Sequence, residues 1–154
     1  MSSNDPFDLE RFVKAQEPAF DTALQELEAG QKRTHWMWFV FPQLKGLGHS
    51  PTAQFYGIAS IDEARAYLAH PVLGPRITLC TQVVSAHERQ SLAEIFGSPD
   101  DLKFVSSMTL FAAAAGDGDA PFARALVRWG ARDERTLAML GLAQSSRLEI
   151  KPGG

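Results

Sequence analysis

Polar side chains set into apolar sequence are where chemistry is first sought, because a segment built only for packing seldom keeps them in clusters. Lys32, Arg33, His35 and Gln43 flank the aromatic run WMWFVF from Trp36 to Phe41. Further on, Lys103 and Ser107 stand four residues apart and Ser106 and Thr109 three apart, spacings that put side chains on neighbouring helix faces. Arg76 follows a Gly-Pro break. The cations suit phosphates, Trp36 or Trp38 offers a stacking face for a base, and the hydroxyls of Ser107 and Thr109 suit a ribose. Together these meet the needs of a nucleotide-like ligand. Lys32, His35 and Gln43 form the polar edge of such a site.

Each residue also has a purely structural reading. Aromatics dominate cores by buried area, so Trp36, Trp38, Phe39 and Phe41 read first as core. Helical Ser and Thr bond back to the carbonyl one turn earlier. His35 serves equally as a cap, and Lys103 must face solvent, pair with Asp100 or meet a ligand anion, because burying it alone is costly.

Several familiar sites are excluded by spacing. Gly46-Leu-Gly48-His-Ser-Pro51 starts like a dinucleotide fingerprint but ends in proline and follows no strand. No phosphate-loop Gly-Lys-Ser/Thr ending and no Gly-x-Ser-x-Gly elbow occurs. Asp117-Gly-Asp119 opens like a calcium loop, yet Phe122 and Arg128 stand where glycine and glutamate are needed. His35, His49, His70 and His87 form no i, i+4 pair, so no metal site is expected, and Cys80 reads as a small buried side chain. No cofactor is expected.

The whole chain is consistent with that exclusion. Its 154 residues suit one domain, and a net charge of −3 gives no overall field for nucleic acid. Apolar runs stay far below the ~20 residues of a membrane span. With one cysteine and a short polar start, Met1 to Pro6, a cytoplasmic address is expected.

The elements that must position these groups are helical. Caps, glycine stops and apolar spacing predict helices over 8–16, 18–28, 51–57, 60–70, 73–84, 91–97, 100–115, 121–129 and 133–140. Ser60 to Glu63 and Ser91 to Glu94 have the pattern of capping boxes, Asp119 precedes Pro121 as a further start, and Gly74-Pro75 should delay or kink its helix. Only Trp36 to Val40 and Ile77 to Val84 could be strands. The expectation is a mainly α, single compact domain of about eight short helices around the central helix 100–115. Its core spans about 7–142, with a flexible tail over 143–154.

Five stretches carry a family resemblance: RFVKAQ (11–16), HWMWFVFPQLKGLG (35–48), EARAYLAHPVLGPR (63–76), IFGSPDDLKFVSSMTLF (95–111) and DERTLAML (133–140). With these the chain resembles the bacterial domain of unknown function 1810 family, sometimes labelled calpastatin-like. The resemblance covers nearly the whole domain and implies a helical, cytoplasmic bacterial protein, without a known function. The order of a Glu-Ala helix (Glu63-Ala64), a Leu-Gly-x-Arg turn (Leu73 to Arg76), a Lys-Phe helix (Lys103-Phe104) and a final leucine-rich helix more weakly resembles the NADAR superfamily, helical N-glycosidases linked to NAD and ADP-ribose, although that superfamily's closing glycine-asparagine run is absent here. This second likeness implies an ADP-ribose or NAD-like ligand and cleavage of a ribose-nitrogen bond. A carboxylate would then support the oxocarbenium-like transition state, and Glu63, Asp101 and Asp133 are the candidates. Lys103 and Arg76 would hold phosphates. The alternative is a non-catalytic binding or adaptor domain whose surface around His35 recognises a protein partner or small regulator.

Overall fold

Side-chain caps decide where many of the helices begin: Ser50, Ser60, Ser91 and Asp133 each accept the backbone N–H three residues on. The structure, a computed structural model, describes residues 5–118 and 120–142. Among them ten helices follow one another: α1 (Glu10–Gln16), α2 (Phe20–Ala29), α3 (Met37–Val40), α4 (Pro51–Phe55), α5 (Ile61–Ala69), α6 (Leu73–Ser85), α7 (Leu92–Phe96), α8 (Asp100–Ala115), α9 (Pro121–Trp129) and α10 (Glu134–Met139). The mainly α expectation holds. The two segments that could have been strands are α3 and the second half of α6. Asp119 and the tail 143–154 lie outside the described residues.

Helix α8 is the central element. Of the apolar stripe its spacing predicts, Phe104, Met108, Phe111 and Ala115, the first three are buried and Ala115 is partly so; Leu110, Ser106, Ser107 and Thr109 are buried as well, because α5, α7, α9 and α10 all pack against it. Rings tie these layers together. Phe41 meets Phe104 edge-on at 5.1 Å, while Tyr67 of α5 lies 5.1 Å from both Phe12 of α1 and Phe111 of α8. Such pairs add about 0.5–1.5 kcal/mol each beyond the area they bury.

Two local expectations are corrected. Pro75 does not delay α6, which starts at Leu73. Proline in the first turn loses only an N–H that has no helical partner. The amides of Val72 and Leu73 are instead taken up by His70 Nδ1, at 3.1 and 3.3 Å. Gly74 is required for a different reason: a Cβ there would fall 2.1 Å from the Leu68 carbonyl oxygen, so glycine lets α5 and α6 meet backbone to backbone. The second correction concerns Glu63. Ser91 and Glu94 form a reciprocal capping box, but at α5 only Ser60 caps. Glu63 turns away to accept the Ala59 amide at 2.9 Å and an Arg11 guanidinium at 2.8 Å.

Outside the helices, one isolated parallel bridge joins Leu44 and Ile58. Ile58 N–H donates to the Gln43 carbonyl at 2.9 Å, and Lys45 N–H donates to that of Ile58 at 2.8 Å. The bridge closes a loop that carries α4 and holds Gln43 beside α3.

Candidate functional site

The aromatic segment is oriented by a single carboxylate. Helix α2 ends at Gly30, left-handed with φ 75°, and the chain turns back so that Glu26 meets residues 33 to 36. Glu26 Oε1 accepts from Arg33 N–H (2.8 Å), Thr34 N–H (3.1 Å) and Trp36 Nε1–H (2.9 Å), and Oε2 accepts from Thr34 Oγ1 (2.7 Å). Burial alone would raise its pKa. The bonds from Arg33 N–H, the Thr34 hydroxyl and amide, and Trp36 outweigh burial and hold the carboxyl at about 2. Trp36 is thereby fixed in the core at 1% exposure. Its ring has no open face for a base, which corrects its assignment as a stacking platform.

Trp38, two residues on, is half-buried. Lys103 of α8 places its ammonium 4.4 Å from the centre of the Trp38 ring and 3.4 Å from Asp100 Oδ1. Lys32 reaches the other oxygen of Asp100 at 2.9 Å, with its ammonium 5.2 Å from the Trp36 ring. Two ammoniums therefore share one carboxylate against an aromatic wall. Beside them is a cleft lined by Met37, Trp38, Phe41, Gln43, Tyr56 and Lys103. Its volume is about 10 Å³, enough for about one water. A nucleotide needs several hundred cubic ångströms. In this conformation the Lys103 ammonium occupies the Trp38 face that a base would need.

Four of the sequence candidates thus meet here: Lys32, Trp38, Gln43 and Lys103. Asp100 joins them, and its i, i+3 spacing to Lys103 was the signal available in sequence. The i+4 position, Ser107, is fully buried on the same side of α8, and its Oγ has no hydrogen-bond partner.

The remaining candidates lie elsewhere. His35 is exposed and makes no hydrogen bond with the described residues. Arg76 donates to Gln16 Oε1 at 3.3 Å and covers the Phe20 ring at 4.7 Å, so it shares no partner with Lys103. Gln16 continues that network to the Phe39 carbonyl and the Tyr67 hydroxyl, at 2.7 and 3.1 Å. Burial drives the Tyr67 hydroxyl well above the usual phenol range, and it pushes the Cys80 thiol up to about 12, so neither ionises near neutrality.

Thr109 bonds back to the Val105 carbonyl at 2.8 Å and accepts the Asp133 amide at 2.9 Å. Asp133 Oδ2 in turn accepts from Ser106 Oγ and Thr136 N–H, both at 3.1 Å, and from the Thr136 hydroxyl. Glu63 is taken by Arg11 and the Ala59 amide. Of the three proposed carboxylates only Asp101 keeps a buried oxygen, Oδ1, without a partner. It stands two positions before Lys103, about 200° around α8, so it faces away from the cleft. None of the three is placed to act at Trp38.

Among the described residues no three His, Cys, Asp or Glu side chains come together as a metal site. No helix there is long and apolar enough to cross a membrane.

No curated protein matches the chain. The crystal structure of the conserved hypothetical protein Rv1873 from Mycobacterium tuberculosis is similar at 55% identity, covering 89% of this chain and 99% of that one, with a TM-score of 0.86. Over residues 6–140 the sequence matches the family model described as protein of unknown function (DUF1810), and the chain belongs to that family.

Proposed function

We propose that this protein binds a small anionic ligand with an aromatic base, of the ADP-ribose or NAD kind, at the cleft between Trp38 and Lys103. The observation that carries the reading is the sharing of Asp100 by Lys32 and Lys103 beside a half-buried indole. A ligand phosphate can take Lys103 from Asp100 without leaving the carboxylate unpaired, since Lys32 stays. The base then takes the indole face that Lys103 leaves. Binding therefore needs the lysine to swing outward, which its four-carbon stem allows. Gln43 lines the same cleft and supplies an amide for the edge of a base.

The reaction proposed for such a ligand is hydrolysis of its ribose-nitrogen bond. Water adds to the anomeric carbon, the carbon-nitrogen bond breaks, and the departing base keeps the electron pair and takes a proton. Asp100 is the carboxylate beside the cleft and would face the positive charge that develops.

Thermal-shift titration with ADP-ribose, NAD and nucleotides tests binding. At a hundredfold excess over Kd the expected stabilisation is about 2.7 kcal/mol, roughly 5–11 °C for a chain of this size. It should vanish in Lys103→Ala and Trp38→Ala. Incubation with an ADP-ribosylated nucleoside tests hydrolysis, and absence of released ADP-ribose at high protein concentration rejects it. The adaptor reading is favoured by one observation, the exposure of Arg33 and His35 beside the aromatic segment. It is preferred if no nucleotide shifts the melting temperature.

A further inference from the structure

On the side of the molecule where the end of α6 packs on α9, a groove of about 430 Å³ is lined by Gln82, Ser85, Ala86, Pro121, Arg124 and Arg128. That volume lies within the range of small-ligand sites. We propose that this groove is an oxyanion site that takes the phosphoryl group of a small phosphorylated molecule, separate from the Trp38 cleft.

Charge is the first support. Arg124 and Arg128 are the only charged residues of α9, one turn apart on the same face, and neither has a carboxylate partner among the described residues. Among the described residues no acidic one lines the groove. In the loop just beyond, Glu88 and Arg89 offset each other in charge.

The second support is the state of the donors. Arg128 is already held: its Nη2 donates to the His87 carbonyl at 2.9 Å and its guanidinium lies 4.7 Å from the Trp129 ring centre. The carbonyl it covers lies just beyond the end of α6, in the turn that follows the Ala86 cap. Arg124 is exposed, and its guanidinium makes no hydrogen bond or ion pair among the described residues, so its whole fork is available. Ser85 points the same way. It lines the groove, and its half-buried hydroxyl makes no hydrogen bond with the described residues. Two guanidinium forks, one already positioned, with a neutral hydroxyl and the Gln82 amide beside them, match the geometry and charge of a phosphoryl group.

Calorimetric titration of the full chain with inorganic phosphate and with pyrophosphate, at constant ionic strength set by chloride, tests this. Saturable binding is expected. Arg124→Gln, which removes a side chain without partners and so leaves the fold intact, should weaken it at least tenfold. Arg124→Gln with Arg128→Gln should abolish it, while Trp38→Ala should leave it unchanged. Non-saturating heats, equal binding by Arg124→Gln, or loss of phosphate binding in Trp38→Ala would each overturn the proposal. So would an acidic peptide that competes more tightly than pyrophosphate, because the groove would then be a protein-docking surface.

Discussion

Replacing Glu26 by glutamine should remove a pH-dependent part of the stability whose size follows from the geometry. In the folded chain the carboxyl is held at about 2, against 4.5 for the unconstrained group. Converted at 1.36 kcal/mol per unit, that difference is about 3 kcal/mol in favour of the folded state when the carboxylate is ionised. The group's folded pKa is depressed, so its contribution is fully present above about pH 5 and is lost as the pH falls from 4.5 towards 2. Glutamine keeps the shape and one acceptor oxygen but brings an amide donor where Thr34 Oγ1 now donates, and it carries no charge. Urea denaturation of both proteins between pH 7 and pH 2.5 gives the comparison. The gap between them should be constant from pH 7 to about 5 and then narrow by an amount approaching 3 kcal/mol. Near neutrality Glu26→Gln should melt roughly 6–12 °C lower. A gap that does not change with pH would refute the reasoning, since it would mean the four donors stabilise the oxygen atoms without stabilising their charge. The residue matters beyond stability, because the same carboxylate fixes Trp36 and thereby sets where Trp38 stands.

Three further outcomes follow from individual contacts. Arg11→Ala should cost about 3–5 kcal/mol in urea denaturation, because it leaves Glu63, whose side chain is 4% exposed, without its guanidinium partner; a loss under 1 kcal/mol would mean that the pair contributes no more than a surface ion pair. Gly74→Ala should lower the melting temperature through a loss of at least about 2 kcal/mol, since the new Cβ meets a backbone oxygen that cannot rotate away. Ser107→Ala should gain about 1 kcal/mol by removing a buried hydroxyl without a partner, and a lower melting temperature instead would reveal a bond to that oxygen.

The helices were legible in the sequence because their signals are local. A capping serine, a glycine stop and an apolar stripe act within four or five residues, and Ser91, Gly30 and Phe104 do in the structure what their spacing says. What the sequence left open was which polar groups meet. Glu63 has the spacing of a capping-box glutamate, but an arginine 52 positions earlier takes it, and Arg76 is engaged by Gln16 across 60 positions. Trp36 and Trp38 show the limit most clearly. Two residues apart, they would share a face in a strand and point opposite ways in a helix. Because the chain turns at Trp36 to enter α3 instead of running on as a strand, one indole is sealed into the core and the other stands at the rim. Asp100 was visible as the partner of Lys103, but its sharing with Lys32 depends on the fold of the loop behind α2.

The contact between Lys103 and Trp38 also makes the protein its own optical probe. An ammonium 4.4 Å from an indole centre imposes a strong electric field on the ring, and the emission of an indole depends on the field it feels. Trp36 is shielded in the core and Trp129 belongs to α9, where Arg128 covers it. Departure of the lysine therefore changes the light from Trp38 specifically, and occupancy of the cleft can be followed without adding a dye to the molecule.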